Sequence, residues 1–190
     1  MGSLYAEAIE ACMIVVGTYF IVTSRRAKST KRSDSATANL VHNGLMALAF
    51  VCAWPTLKPA GAAGTRFVAA TPALETLGVA LVAAGAGFAI WSRYVLGADW
   101  SAAVTIKEGH RLVRRGPYAV VRNPIYTGDI AMVTGMALAL GEYRGLVGLA
   151  LMVGAVWHKG RTEERFLLAE FGDEYADYQR EVSFLLPFIA

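Results

Sequence analysis

Apolar residues in this sequence gather into five long runs, and polar segments separate them. The hydrocarbon core of a bilayer is about 30 Å thick, and a helix needs about 20 residues to cross it. The first three runs have that length, and the fourth is slightly short. The alternating segments of about ten residues that build a membrane β-barrel are absent. The five runs therefore predict helices at Tyr5–Thr23, Ala38–Trp54, Ala73–Tyr94, Pro124–Leu140 and Gly145–Trp157.

The fourth and fifth runs are separated only by the short segment 141–144. At a rise of about 1.5 Å per residue, the fifth run is too short to cross a bilayer by itself. We therefore predict a tight helical hairpin, whose second arm continues as helix through the charged segment 160–171. The predicted fold is all-α: a polytopic integral membrane protein with about five transmembrane helices and this C-terminal hairpin.

The overall composition agrees with a membrane location. Of the 190 residues, 55% are hydrophobic and 17% are charged, and the mean hydropathy is +0.42. A soluble domain carries about a quarter charged residues, and these values exclude a disordered chain or a nucleic-acid-binding array. Both cysteines, Cys12 and Cys52, lie in apolar runs, so no disulfide framework is predicted. The first ten residues lack the basic stretch of a cleaved signal peptide.

Basic residues are distributed unevenly along the chain. Fourteen of the 18 lysines and arginines lie in three segments, which are residues 24–35, residues 97–124 and the tail from His158. With five crossings, the loops on the opposite side carry only Lys58, Arg66 and Arg144. Because cytoplasmic loops are enriched in Lys and Arg, the three basic segments are predicted to be cytoplasmic. The N-terminus then lies outside, and the C-terminus and the segment 97–124 lie in the cytoplasm.

Two polar segments carry more reactive side chains than a connecting loop or a tail needs. The first, residues 107–129, reads KEGHRLVRRGPYAVVRNPIYTGD. The second, residues 159–182, reads KGRTEERFLLAEFGDEYADYQREV and contains the pair Glu163 and Glu164. Each segment also has a simpler interpretation. The first could be an interfacial loop whose arginines contact anionic lipids, and the second could be a solvated amphipathic helix.

Together, the two segments resemble the isoprenylcysteine carboxyl methyltransferase family, which is related to membrane phospholipid methyltransferases. The resemblance rests on HRLVRRGPYAVVRNPIYTG and RTEERFLLAEFGDEYADYQREV and covers roughly residues 95–188. It implies S-adenosyl-L-methionine as methyl donor, bound in a cofactor pocket on the cytosolic side, and S-adenosyl-L-homocysteine as product. It also implies a lipid-soluble or prenylated acceptor that meets the enzyme among membrane lipids, with no nucleic-acid partner. It also implies one membrane domain over residues 1–190, with variable N-terminal helices in 1–72 and a methyltransferase core in 73–190.

The resemblance further implies roles for individual residues. A basic residue just before the glutamate pair is assigned to the acceptor carboxylate, which is Arg161 here, with Lys159 as the alternative. Arg161 and Glu164 are the predicted catalytic residues. Physical chemistry agrees with the donor site, because a glutamate can bind the ammonium group of the donor. The residues implied to form the donor pocket are His110, Arg111, Leu112, Val113, Gly116, Tyr118, Arg122, Asn123, Pro124, Ile125, Tyr126, Glu163 and Glu164.

The sequence departs from the family's pattern at two positions. The family's Arg-His-Pro is Arg122–Asn123–Pro124 here, and asparagine does not titrate near neutral pH. The usual arginine five positions before the second glutamate is Lys159, which cannot grip a carboxylate at two points. The acceptor therefore stays open between an isoprenoid-linked carboxylate, which leads, a phospholipid amine, and a small thiol or phenol. A membrane scaffold that lost activity is the non-enzymatic alternative.

Three smaller features complete the analysis. Asp129 lies about one turn into the fourth run, where a pocket role and a hydrated interfacial position are both open. The Gly85–Gly87 segment lies inside an apolar run and predicts close helix packing, not a dinucleotide site. The histidines are far apart in sequence and show no metal-ligand spacing, so no metal site is predicted.

Overall fold

The part of the chain that the structure describes contains six α-helices, one short β-ribbon and three short 3-10 turns. The computed structural model describes residues 1–25, 27–58, 61–107, 109 and 111–187. Within these residues the helices are α1 (Ser3–Ser24), α2 (Ala36–Cys52), α3 (Pro72–Leu96), α4 (Pro124–Leu140), α5 (Tyr143–Phe171) and α6 (Asp173–Glu181). The strands are β1 (Thr30–Ser33) and β2 (Thr105–Lys107), and short 3-10 turns occur at Gly61–Gly64, Gly97–Asp99 and Gly116–Ala119.

The first five helices coincide with the five apolar runs, so the prediction of a helical fold is confirmed. Two helical segments, α1 and the span Pro72–Asp99, are long and apolar enough to cross a membrane. Helices α2 and α4 are also apolar but have only 17 residues each. The C-terminal hairpin is confirmed as well, because α5 begins three residues after α4 ends and continues through the charged segment to Phe171.

Local sequence explains where the helices begin and end. The Ser35 hydroxyl accepts a hydrogen bond from the Ala38 backbone N–H and caps α2, while Thr71 caps α3 in the same way through Leu74. Helices α3 and α4 each have a proline in the first turn, where the missing N–H costs nothing. Helix α5 ends at Gly172, whose φ of 54° suits glycine better than any other residue. This glycine divides the amphipathic tail into α5 and α6.

The antiparallel ribbon of β1 and β2 is a feature that the hydrophobic pattern does not predict. It joins the loop after α1 to the polar stretch before α4. An ion pair strengthens this connection, because the Lys28 ammonium lies 2.7 Å from the Asp99 carboxylate. A second ion pair joins the same loop to α5, where the Lys31 ammonium lies 2.7 Å from the Glu170 carboxylate. The loop between α1 and α2 is therefore tied to the motif-bearing half of the chain.

Helices α3 and α4 approach each other closely at two pairs of glycines. A Cβ atom at Gly85 would lie 2.7 Å from the Gly128 carbonyl oxygen, and one at Gly78 would lie 2.5 Å from the Gly135 carbonyl oxygen. In a lipid bilayer the hydrophobic effect does not drive helices together, so their association depends on close packing, which small residues allow. The packing role predicted for Gly85 is confirmed, and the contact fixes α4 against α3.

We predict that Gly85→Ala lowers the thermal midpoint of the protein in detergent, whereas Gly87→Ala does not. The methyl group that alanine adds at position 85 would overlap the backbone of α4, and overpacking of this kind costs about 1–3 kcal/mol. A Cβ at Gly87 meets no atom within 4 Å, so alanine there gains helix propensity of up to about 1 kcal/mol. Equal midpoints for the two variants would contradict the close contact.

Candidate functional site

A cavity of about 420 Å³ lies between the helices and is lined by both polar and apolar side chains. Helix α1 packs against α3 and α2 packs against α5, and the cavity occupies the space between these two layers. Its apolar arm is formed by Met13, Gly17 and Phe20 of α1 with Met46 and Phe50 of α2. Its polar end is formed by Asp99, Arg122, Tyr126, Lys159 and Glu163. Clefts of about 300–1,000 Å³ with this mixture are typical of small-molecule sites.

The structure brings eight of the predicted site residues to this cavity. The N-terminal turn of α4 contributes Asn123, Pro124 and Ile125, and its position is fixed from behind by the C-terminal segment. The backbone N–H groups of Arg122 and Asn123 donate to the Ser183 and Phe184 carbonyls at 2.8 and 3.2 Å. The eight lining residues are Tyr118, Arg122, Asn123, Pro124, Ile125, Tyr126, Lys159 and Glu163.

Glu163 is the member of the glutamate pair that faces the cavity. The Tyr126 hydroxyl donates a 2.7 Å hydrogen bond to the Glu163 carboxylate and fixes its orientation. Tyr118 lies nearby in the turn before α4. Burial raises the pKa of Tyr118 above the usual tyrosine value, and the Glu163 and Tyr178 charges raise it further. The Tyr118 phenol therefore stays protonated and is available as a hydrogen-bond donor.

Glu164 does not line the cavity and forms a buried ion pair. The Arg122 Nε atom lies 2.6 Å from the Glu164 carboxylate, and both side chains are less than 10% exposed. The same guanidinium donates hydrogen bonds to the Gln179 and Val182 carbonyls near the end of α6. The arginine thus joins α5, α6 and the start of α4, and Glu164 is its counter-charge.

Lys159 and Arg161 occupy different environments. The Lys159 ammonium group is buried at the cavity wall and donates to the Asn43 side-chain oxygen at 2.7 Å and to the Ala102 carbonyl at 2.8 Å. The Arg161 side chain is 48% exposed, contacts Glu164 at 3.3 Å and stacks on the rings of Trp157 and Phe184. Arg161 does not line the cavity, although the sequence favoured it over Lys159 for the acceptor.

The remaining predicted residues lie outside the cavity lining, and His110 lies outside the described residues. Arg111, Leu112 and Val113 belong to the irregular segment before the turn. Gly116 begins that turn with a φ of 61°, packs against Val95 and directs the chain so that Tyr118 reaches the cavity. Its contribution is therefore to the shape of the backbone.

Sequence reasoning missed the residues that α1 and α2 contribute. Asn43 and the apolar arm lie in runs without any motif, so no local signal distinguished them from lipid-facing residues. The positions of Glu163 and Glu164 around the helix were the signal that could have shown which glutamate faces the cavity. Residues four apart share a helix face, which places Glu163 with Lys159, whereas Glu164 pairs with Arg161 three residues earlier. Asp129, left open by the sequence, also lines the cavity.

Comparison with known proteins identifies the family. The sequence model of phospholipid methyltransferases matches residues 74–174, which is more than half of the chain. The chain belongs to this family. It is 32% identical over 83 residues to protein-S-isoprenylcysteine O-methyltransferase of Schizosaccharomyces pombe, covering 43% of this chain and 35% of that protein. It is 34% identical over 141 residues to the Rattus norvegicus protein of the same name, covering 72% of this chain and 45% of the rat protein.

A solved structure shows the same fold. The eukaryotic intramembrane Ras methyltransferase ICMT (isoprenylcysteine carboxyl methyltransferase) superposes with a TM-score of 0.57 at 20% sequence identity. The match covers 82% of this chain and 54% of that structure. These findings confirm the resemblance indicated by the two motifs. The chain spans less than half the length of the first curated relatives that it matches.

We predict a stability coupling of about 1–3 kcal/mol between Asn43 and Lys159. Asn43→Leu leaves the buried ammonium with one protein acceptor, and an unsatisfied buried group of this kind costs about that amount. In a Lys159→Met background there is no buried ammonium group to leave without an acceptor, so Asn43→Leu should hardly change the free energy of unfolding. A double-mutant cycle measured by unfolding in detergent tests this coupling. Additive effects of the two substitutions would show that the hydrogen bond contributes nothing.

Proposed function

We propose that this protein is an integral membrane methyltransferase that uses S-adenosyl-L-methionine and acts on a lipid-soluble acceptor. The observation that carries the proposal is a cavity in which charged side chains and an apolar arm line the same space. A water-soluble donor needs the first, and an acceptor with an isoprenoid or acyl chain needs the second. Membership in the phospholipid methyltransferase family supports the same reaction class.

The polar end has side chains suited to the donor. S-adenosyl-L-methionine carries an ammonium, a carboxylate and a sulfonium, and it supplies an electrophilic methyl group. In the proposal Glu163 binds the ammonium, because a charge-assisted hydrogen bond to a carboxylate is the strongest contact available to it. The protonated Tyr118 phenol donates to a donor oxygen or nitrogen atom. The Arg122–Glu164 pair holds α5 in the rotation that directs Glu163 into the cavity.

An isoprenylcysteine-type carboxylate is the leading acceptor. The relatives are named for that substrate, and the cavity provides an apolar arm for the isoprenoid chain next to the Lys159 ammonium for the carboxylate. The proposal assigns the acceptor contact to Lys159 and not to Arg161, which lies outside the cavity lining. A prenylated peptide or protein would be the natural partner.

The chemistry follows from alignment and exclusion of water. Methyl transfer is an in-line displacement, so holding the acceptor oxygen on the axis of the methyl–sulfur bond supplies most of the rate. A carboxylate is already ionised and needs no base. Lys159 keeps it ionised in a poorly hydrated cavity, and the methyl ester that forms has lost the charge that bound it, which favours release.

Five crossings, with the motif-bearing segments on the cytoplasmic side, complete the proposal. Helices α1 to α5 would each cross or enter the bilayer. The ribbon between residues 30–33 and residues 105–107 supports a common side for two of the basic segments. The third basic segment contacts the first through the Lys31–Glu170 pair. This arrangement satisfies the positive-inside rule.

We expect cysteines on opposite sides of the protein to label differently. In a background with Cys12 and Cys52 replaced by alanine, Ala63→Cys in the loop between α2 and α3 should react with a membrane-impermeant thiol reagent in intact cells. Ser29→Cys and Ala169→Cys, both exposed positions, should react only after permeabilisation. Labelling of either position in intact cells would exclude the orientation.

We also predict that Glu163 and Lys159, which share one face of α5, have different functions: Glu163 affects donor binding, and Lys159 affects the acceptor. Glu163→Gln should weaken donor affinity, measured by calorimetry, by about 10- to 150-fold, the equivalent of a charge-assisted contact worth about 1.5–3 kcal/mol. Lys159→Met should reduce methylation of S-farnesylcysteine at least about tenfold and change donor affinity by less than about threefold.

Two variants outside the cavity provide the controls. Arg161→Met should retain turnover, because the side chain does not line the cavity. Glu164→Gln should lower the thermal midpoint, because it leaves the Arg122 charge without its partner. If Arg161→Met lost turnover while Lys159→Met stayed active, the acceptor contact would have to be assigned to Arg161. Failure of the parent protein to bind donor would leave only the scaffold alternative.

A further inference from the structure

Asp129 is a carboxylate of the cavity wall to which neither the two motifs nor the proposed reaction gives a role. It lies one helical turn after Tyr126 on α4 and lines the same cavity. Its neighbour Gly128 is in backbone contact with Gly85 of α3, so this turn of α4 cannot rotate. The position of the Asp129 side chain is therefore fixed by the packing of the helix that carries it.

Asp129 differs from the other cavity carboxylates in having no partner. Asp99 is paired with Lys28, and Glu163 accepts a hydrogen bond from Tyr126. Among the residues that the structure describes, none donates a hydrogen bond to Asp129 or forms an ion pair with it. A half-buried carboxylate without a hydrogen-bond donor is costly. The Asp129 carboxylate is therefore available to interact with a ligand in the cavity.

The nearby Lys159 supplies the complementary charge. Two of its three N–H donors are used by Asn43 and Ala102, and one is left for a ligand. Lys159 interacts electrostatically with Asp129 but lies beyond ion-pair distance of every described carboxylate. The cavity therefore holds both a free proton acceptor and a cation that stabilises a new anion.

We propose that the same cavity also methylates an apolar thiol, with Asp129 removing the thiol proton and Lys159 holding the thiolate. This inference rests on the proposed methyl transfer and adds a second acceptor chemistry to it. The thiol S–H bond breaks and its proton passes to an Asp129 oxygen, while the thiolate sulfur forms a bond to the methyl carbon. The methyl–sulfonium bond breaks, and its electron pair stays on the donor sulfur. The products are a methyl thioether, the demethylated donor and a proton that Asp129 returns to water.

A thiol fits the site better than an amine does. A lipid amine attacks as a neutral group and gains nothing from the Lys159 ammonium, whereas a thiolate is stabilised by that charge. A thiol enters the apolar arm uncharged, and only its thiolate is strongly nucleophilic. The carboxylate of the leading acceptor and the thiolate of the second are both anions when they attack, so one cation serves both. Only the thiol needs a base.

The test compares two acceptors in the full-length protein, 1-dodecanethiol and S-farnesylcysteine, each with isotopically labelled donor. Asp129→Asn has the same size as the parent residue and cannot accept the proton. We expect the ratio of thiol to carboxylate turnover to fall by at least about 10²-fold, the usual contribution of a general base. A long-chain aryl thiol, which is largely ionised at neutral pH, should keep most of its turnover in Asp129→Asn.

Asp99→Asn is the matched control, because it removes a carboxylate of the same cavity that already has a partner. An equal fall of the ratio in Asp99→Asn would show that cavity charge, not proton removal, is responsible, and would overturn the proposal. Equal loss of both acceptors in Asp129→Asn, or turnover of dodecylamine in place of the thiol, would also overturn it. Carboxylate turnover without any thiol turnover in the parent rejects this inference alone, whereas no donor binding rejects the methyltransferase itself.

Discussion

The buried ion pair between Arg122 and Glu164 is the contact on which the site depends. Its partners come from the segment before α4 and from the middle of α5, and the guanidinium also binds carbonyls at the end of α6. Two charges removed from water must be fully paired to be tolerated, so this geometry leaves α5 little freedom to rotate. Adjacent residues on an α-helix point about 100° apart. With Glu164 fixed in the ion pair, Glu163 is directed to the cavity, where Tyr126 completes its orientation.

The small-residue contacts of α3 and α4 make the second constraint. Backbone approach at Gly85 and Gly128 leaves no space on that side of α4, so the polar side chains of α4 are displayed on the opposite side. Tyr126 and Asp129 reach the cavity from one face for this reason. Helices α1 and α2 then close the remaining side, tied to the motif-bearing half by the β-ribbon and by Lys28 and Lys31.

Sequence patterns predicted the five apolar helices, the hairpin and the family, because each depends on hydrophobicity or on residues close together in the chain. The site was predicted less completely. Whether Lys159 or Arg161 reaches the cavity depends on the rotation of α5, which is set by a partner 42 residues away in sequence, Arg122. The role of Asn43 was out of reach for a related reason, since its contact with Lys159 joins residues 116 positions apart. The ribbon strands are too short to show an alternating pattern.

In the proposed function, the donor contacts come from the motif-bearing half of the chain, whereas the acceptor contacts come from both halves. Glu163, Tyr118 and Tyr126, which suit the donor, all belong to the half that carries the family motifs. The apolar arm belongs wholly to α1 and α2, and Lys159 is held in part by Asn43 of α2. Changes in α1 or α2 therefore alter the width of the arm or the direction of the ammonium group while leaving Glu163 and its hydrogen bond in place. In the proposed function, such changes would alter acceptor selection without rebuilding the donor contacts of Glu163.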